Sequence, residues 1–288
     1  MILNLAAVLL VTSSFTVHTD TTLAVKPGVR LQVNNFGGEI AISTWGKNAV
    51  HIEAEHSFRT EVGIETTEGA IKVETRGRRG TPNATDFKIV VPAWMGVKLS
   101  GLYTDVAVEG SQGDVRAETV KGSIKLKGGR GYVSLHSVEG SVSVEGAQGK
   151  IELESVNEGI EATDVEGEIS AETVNGDVVL AGVKSPSVEV STVNGDICYQ
   201  GSVAKDGHYS FATHNGDVSL TLPDDASASV SVSTFSGDFE SDFKAKLADT
   251  GGKRFSFTLG SGDAEIALES FEGTVRLRRA GEKCDESR

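Results

Sequence analysis

The chain has 288 residues, with 34 Gly, 5 Pro, 6% aromatic residues and a formal net charge of −14. Glycine without proline, beside abundant Val, Ile, Thr and Ser, predicts many short strands joined by tight turns. The acidic balance argues against nucleic acid, whose phosphates demand a basic stripe, and against docking on bare anionic lipid.

The N-terminus reads MILNLAAVLLVTSSFTVHTD. Ile2 to Val11 has the length of a signal-peptide apolar region and is too short to span a bilayer. Residues 1–17 therefore read as a signal peptide, although no Lys or Arg precedes the apolar run. The expectation is export to the periplasm, cell envelope or cell surface, or a cytoplasmic protein if this segment is instead a buried first strand. No other segment is suited to an integral membrane span. Residues 18–100 are strand-like but irregular, an expected N-terminal β cap with Trp45 and Trp94 in its core.

A repeat governs residues 101–222. Gly113, Gly122, Gly131, Gly140, Gly149, Gly167 and Gly176 fall nine apart, save one slip near Gly159. Apolar residues stand at the third and fifth places between them, as in Ile124 and Leu126 or Val133 and Leu135, which marks short strands with one buried face. A Ser/Thr-Val step recurs at Thr119, Ser137, Ser155, Thr173 and Thr192, every eighteen or nineteen residues. One coil is thus two strands and two turns, and it cannot bury its apolar face alone. The predicted fold is all-β: a single-domain parallel β-solenoid (β-helix) with ~18-residue two-strand coils and irregular caps at both ends.

Three turns carry Asn-Gly: Asn175 with Gly176, Asn194 with Gly195, and Asn215 with Gly216. The pair suits a tight turn with positive φ, and the asparagines are placed to stack as an amide ladder. Aspartates follow at Asp177, Asp196, Asp217 and Asp238, with Asp263 in the same Gly-Asp context. A stacked column of these reads as a solvated edge or, more sharply, as a weak divalent-cation site. No helix follows these turns, so no phosphate cradle is expected. A calcium roll of G-G-x-G-x-D-x-U-x form is not matched.

From Gly176 the coils lengthen, through VKSPS (183–187), GSVAKDGHY (201–209), LPDDASA (222–228) and DFKAKLADTGGKR (242–254). Each insertion falls in the second turn, leaving one edge uniform and one ragged. Such loops often carry binding, and the candidates here are Lys205, His208, Lys244, Lys246 and Lys253. Eighteen-residue counting also pairs Glu145 with Lys127 and stacks Glu118, His136, Glu154 and Glu172. Residues 223–279 read as further coils and a C-terminal cap rich in Phe, closed by arginines that shield the last edge, and 280–288 as a flexible tail. Cys198 and Cys284 form no framework, a bond between them being left open, and no spacing suggests zinc or another cofactor.

The order VNNFGGEIAI, VPAWMGVKLSG, repeated ETVNGDV, LTLPDDASASVSVSTFSGDFESDF and GSGDAEIALESFEGTVRLRR resembles the bacterial putative-adhesin family of β-strand-repeat proteins, over roughly residues 20–279. The resemblance implies an exported or envelope-anchored protein of undefined activity, with no catalytic residues to carry over. The expected function is a non-enzymatic exported scaffold that contacts an envelope, glycan or protein surface. The alternatives are a structural or sensory envelope module acting through self-association or a signalling partner, and a polysaccharide-active β-helix enzyme.

Overall fold

Alternation along each strand decides the architecture. In the segment Arg130–Glu139, Val133, Leu135 and Ser137 are buried while Tyr132, Ser134 and His136 are partly exposed. The structure, a computed structural model, describes residues 16–243 and 254–280, and among these no helix occurs.

The first strands are β1 (Thr16–Ala24), β2 (Arg30–Trp45), β3 (Ala49–Ser57), β4 (Thr60–Thr66), β5 (Ala70–Gly77) and β6 (Thr85–Pro92). The repeat supplies β7 (Val97–Glu109), β8 (Val115–Lys121), β9 (Ile124–Lys127), β10 (Arg130–Glu139), β11 (Val142–Glu145), β12 (Gln148–Ser155), β13 (Ile160–Thr163) and β14 (Glu166–Glu172). It continues through β15 (Val178–Asn194), β16 (Ile197–Gly201), β17 (His208–Asn215) and β18 (Val218–Leu222). The chain ends in β19 (Ala228–Thr234), β20 (Phe239–Ser241), β21 (Arg254–Leu259), β22 (Ala264–Glu272) and β23 (Val275–Arg279).

Parallel pairing one coil apart builds two columns. In the first, Leu135 lies opposite both Ala117 and Leu153, and Leu153 opposite Ala171. In the second, Val142 lies between Ile124 and Ile160. The long strands β2, β7 and β15 pass through a corner and serve both columns; β7, for example, pairs with β8 and with β9. The buried faces of both columns form one continuous core of β-branched and leucine side chains. This is the parallel β-solenoid that the nine-residue pattern predicts.

Both ends depart from sequential stacking. At the N-terminal end β2 pairs with β7 on one side and with β5 and β6 on the other, so the first long strand lies inside the stack. Antiparallel pairs β4–β5, β3–β6 and β1–β3 then close it. At the C-terminal end β22 pairs with β17 and with β19, and β23 with β18 and β20. The last coil in sequence is therefore wedged beneath the coil that precedes it, and β21 caps β19 in antiparallel fashion.

This wedge corrects three expectations. Asp238 does not stack directly on Asp217, because the turn at Gly273 and Thr274 lies between them. Asp263 lies before β22, at the other edge, and bonds Ser227 and Ser261. The arginines of β23 do not shield an edge but clamp an interior coil: Arg276 pairs with Asp217 and Glu240, Arg278 with Glu240 and Asp242, and Arg279 with Asp224. Both tryptophans are half-buried: Trp94 packs against the core, whereas Trp45 stands at its margin and donates its indole N–H to the Ala49 carbonyl at 2.7 Å. Among the late phenylalanines, Phe239, Phe255 and Phe257 do cluster, whereas Phe235 and Phe271 stand on the outer surface.

Candidate functional site

The uniform corner is held by three ladders, each made of a side chain whose type suits one backbone group. Buried Ser137, Thr173, Thr192, Thr213 and Ser270 donate their hydroxyls to the carbonyls of Gly122, Glu158, Gly176, Gly195 and Gly216, at 2.9–3.1 Å. Outside these, Asn175 donates to Asn157, Asn194 to Asn175 and Asn215 to Asn194, at 3.2, 2.8 and 2.8 Å. The Asp177 carboxylate accepts the backbone N–H of Asp196, Asp196 accepts that of Asp217, and Asp217 accepts that of Thr274. Each carboxylate thus satisfies an amide that the corner removes from strand pairing.

The glycines serve a related end. A Cβ at Gly195 would lie 2.0 Å from the Gly176 carbonyl oxygen, so the corners touch backbone to backbone. Neither Gly176 nor Gly195 has the positive φ that the Asn-Gly pair predicts. Close approach, and not turn handedness, demands glycine here.

At the ragged edge, Lys205 is exposed in the turn before β17, and His208 opens that strand with Nε2 3.5 Å from Glu265. Lys244, Lys246 and Lys253 lie outside the described residues. Tyrosines anchor the loop: Tyr209 donates to the Ser185 carbonyl at 2.6 Å and accepts the Ala204 N–H at 2.7 Å, while Tyr199 donates to the Ser202 carbonyl at 3.0 Å. Burial pushes both phenols above their ordinary pKa. Beside this loop the Asp263 carboxylate accepts the hydroxyls of Ser261 and Ser227, which hold its pKa below the usual aspartate range.

Two further constellations stand outward. Glu118, His136, Glu154 and Glu172 share one register, and His136 Nδ1 lies 2.9 Å from Glu154. On β1 and β3, Asp20, His51 and Glu53 each bring one potential metal-ligand atom within 4.8 Å of the others. The His51 hydrogen bond holds the Glu53 carboxyl below its ordinary range.

The most continuous outward feature is apolar. The position after the buried hydroxyl is Val120, Val138, Val156, Val174 and Val193 in successive coils, then His214, Phe271 and Phe235. Leu102 extends it toward the N-terminal end. Leu102, Val120, Val174 and Val193 are 38–43% exposed, and Phe235 is 55% exposed. His214 stacks on Phe271, and Phe271 on Phe235, each with ring centroids 4.6 Å apart. Beside these rings opens a groove of about 490 Å³ that Arg254 and Glu269 also line.

A family model matches residues 13–278. The chain belongs to the Toastrack DUF4097 family. Comparison with curated proteins gives no match. Among solved structures, a putative adhesin from Parabacteroides merdae is 15% identical with a TM-score of 0.45, covering 90% of this chain and 95% of its own. A putative adhesin from Parabacteroides distasonis is 10% identical with a TM-score of 0.29, covering 92% and 98%. A putative cell adhesion protein from Clostridium sporogenes is 11% identical with a TM-score of 0.25, covering 91% and 99%. None is close enough to carry an activity across.

Within this Toastrack chain, sequence reasoning missed the apolar column, although its signal was present. As a motif, the Ser/Thr-Val step marks only the period. The outward direction of its valine follows from alternation with the buried hydroxyl before it. The cluster at Asp20, His51 and Glu53 gave no such signal, because it depends on an antiparallel pairing that the repeat does not foretell. Nor did the cysteines: Cys198 is disulfide-bonded.

Proposed function

We propose that the protein is a non-enzymatic, exported binding scaffold, a rigid rod that presents one face to a macromolecular surface. The observation that carries this reading is the exposed aliphatic column ending in the His214–Phe271–Phe235 stack. Isolated exposed apolar residues are ordinary, but a row continued over successive coils from Leu102 to Phe235 marks an interaction surface. The ladders behind it fix the rungs, so little order has to be gained on binding. Export is supported by the apolar run Ile2–Val11 and by the disulfide at Cys198, since disulfides persist in oxidising compartments.

The test uses the full chain and an isolated envelope fraction. Val174→Lys with Val193→Lys should lower binding at least tenfold without changing the circular dichroism spectrum. Undiminished binding by the double variant would remove the column from the function. Fractionation with N-terminal sequencing tests export, and a cytoplasmic, uncleaved chain would refute it.

A second reading, self-association, is favoured by the terminal strands. Among the described residues β4 pairs only with β5, and β21 only with β19, leaving one free edge each. Such edges accept further strands. Sedimentation velocity over a wide concentration range separates the readings: a monomer throughout removes the second.

A further inference from the structure

In this acidic chain, three cationic side chains, Arg30, Lys98 and Arg116, line one groove against a single carboxylate. Gln32, Lys98 and Arg116 lie in register on neighbouring strands of the first column, and Lys72 lies across from Gln32. With Arg30 and Trp94, the residues Gln32, Lys98 and Arg116 line an open groove of about 620 Å³ near the N-terminal end. Arg30, Lys72 and Lys98 have no ion-pair partner among the described residues. Arg116 is 3.7 Å from Asp114, the one carboxylate in the lining, which also accepts the Tyr132 N–H at 3.2 Å. The Arg116 guanidinium lies over the Tyr132 ring, 4.6 Å from its centroid. The Trp94 indole N–H is tied to Asn48 Oδ1 at 3.2 Å, which fixes the ring as part of the wall.

We propose that this groove binds an acidic saccharide, a pyranose chain bearing carboxylates, laid along the rod axis. Three features of the groove select that class. Lys98 and Arg116 sit on adjacent strands, about 4.8 Å apart along the axis, which suits charges repeated along a chain better than one isolated anion. Guanidinium and ammonium groups bind carboxylates strongly, and a ligand that supplies them relieves the mutual repulsion of the unpaired cations. The Trp94 indole in the wall then offers a flat apolar surface to a sugar ring, a contact that a simple polyanion does not use. The chain as a whole, at a net charge of −14, opposes extended nucleic acid. The site lies at a different place from the valine column and does not depend on it.

Calorimetry on the full chain at low salt tests this with three probes of matched length: an oligogalacturonate, a neutral oligosaccharide and a single-stranded DNA. The oligogalacturonate should bind at least tenfold more tightly than either of the others, with affinity falling as salt rises. Lys98→Glu with Arg116→Gln should reduce that affinity at least tenfold while leaving Tm and envelope binding unchanged. In a Trp45→Phe background, saturating oligogalacturonate should shift the emission of Trp94. The proposal is overturned by absent binding, by an unaffected double variant, by an unmoved emission, or by DNA binding as tightly as the saccharide. Loss of envelope binding in Val174→Lys/Val193→Lys with oligogalacturonate binding intact would show the two surfaces to be separate.

Discussion

The middle of the rod and its two ends solve different problems. Between β8 and β18, strands that touch are one coil apart in sequence, and the same residue types recur at the same places. At each end that rule is broken: β2 lies between β7 and the pair β5 and β6, and the coil of β22 and β23 lies between earlier coils. A repeat guarantees stacking but cannot stop it, since an unfinished rung exposes both apolar side chains and unpaired backbone. Closure requires distant segments and antiparallel strands, which tie the last rungs to more than one part of the chain.

The largest expected effect breaks this contrast directly. Excising residues 140–157 removes one coil of the middle and joins Glu139 to Glu158, which occupies the same register position as Gly140. The shortened rod should fold, with Tm lowered by about 5 °C or less, the size of one or two kcal/mol in a chain of this length. Ending the chain at Phe243 instead removes β22 and β23 from between their neighbours. That variant should fail to give soluble folded protein, because β17 and β18 each lose one of two partners and β19 and β20 lose every partner they have among the described residues. Circular dichroism and gel filtration of both variants decide it; two variants that fold equally well would mean the wedged coil is an ordinary terminal rung.

A glycine pair sharpens the same comparison. Gly195→Ala places a Cβ 2.0 Å from the Gly176 carbonyl oxygen, and should cost about 1–3 kcal/mol as the corner is forced apart. Gly46→Ala, in the turn before β3, meets nothing within 4 Å and should be close to neutral. Urea unfolding of the two variants measures the difference.

These positions show how far the residues alone could lead. The eighteen-residue interval was enough to stack Lys127 on Glu145, 3.1 Å apart in the structure, and to align His136 with Glu118 and Glu154. It was enough to foresee the asparagine ladder, because identical side chains one coil apart must meet. It gave the wrong reason for Gly176 and Gly195, because a dipeptide reports local turn preference and not the proximity of the next coil. It misplaced Asp263 because spacing was extended past β18, where the chain leaves a gap for a segment still to come. The groove at Arg30, Lys98 and Arg116 was invisible for a kindred reason: β2 and β7 are stacked neighbours but lie a long way apart in sequence.

Hydroxyls provide a finer probe. Thr173 is buried and donates to the Glu158 carbonyl at 3.1 Å, so Thr173→Val should cost about 1 kcal/mol. Thr104, at the first corner of the regular stack, is equally buried, but its hydroxyl has no hydrogen-bond partner. Thr104→Val should therefore be neutral or stabilising, since it removes a desolvated hydroxyl at little change of shape. Equal losses in both variants would mean that the ladder hydroxyls contribute through packing alone.

The smallest effect concerns charge at the ragged edge. Asp263 is held as a carboxylate by Ser261 and Ser227, so its pKa is lower in the folded chain than in the unfolded one. Between those two values the unfolded chain binds more protons, and stability rises with pH. The contribution is complete above the ordinary aspartate range and is lost as pH falls through the lower, folded value. Glu152, held low by Lys150 and Tyr132, acts in the same direction within the middle of the rod. Asp263→Asn should flatten the acid limb of a Tm-against-pH profile slightly and leave the neutral plateau lower by the same small amount. The loss belongs to the joint between the loop after β18 and the start of β22, so it should appear first as faster amide exchange at residues 260–264. Exchange that accelerates uniformly along the rod would show that even this loose edge unfolds with the whole stack.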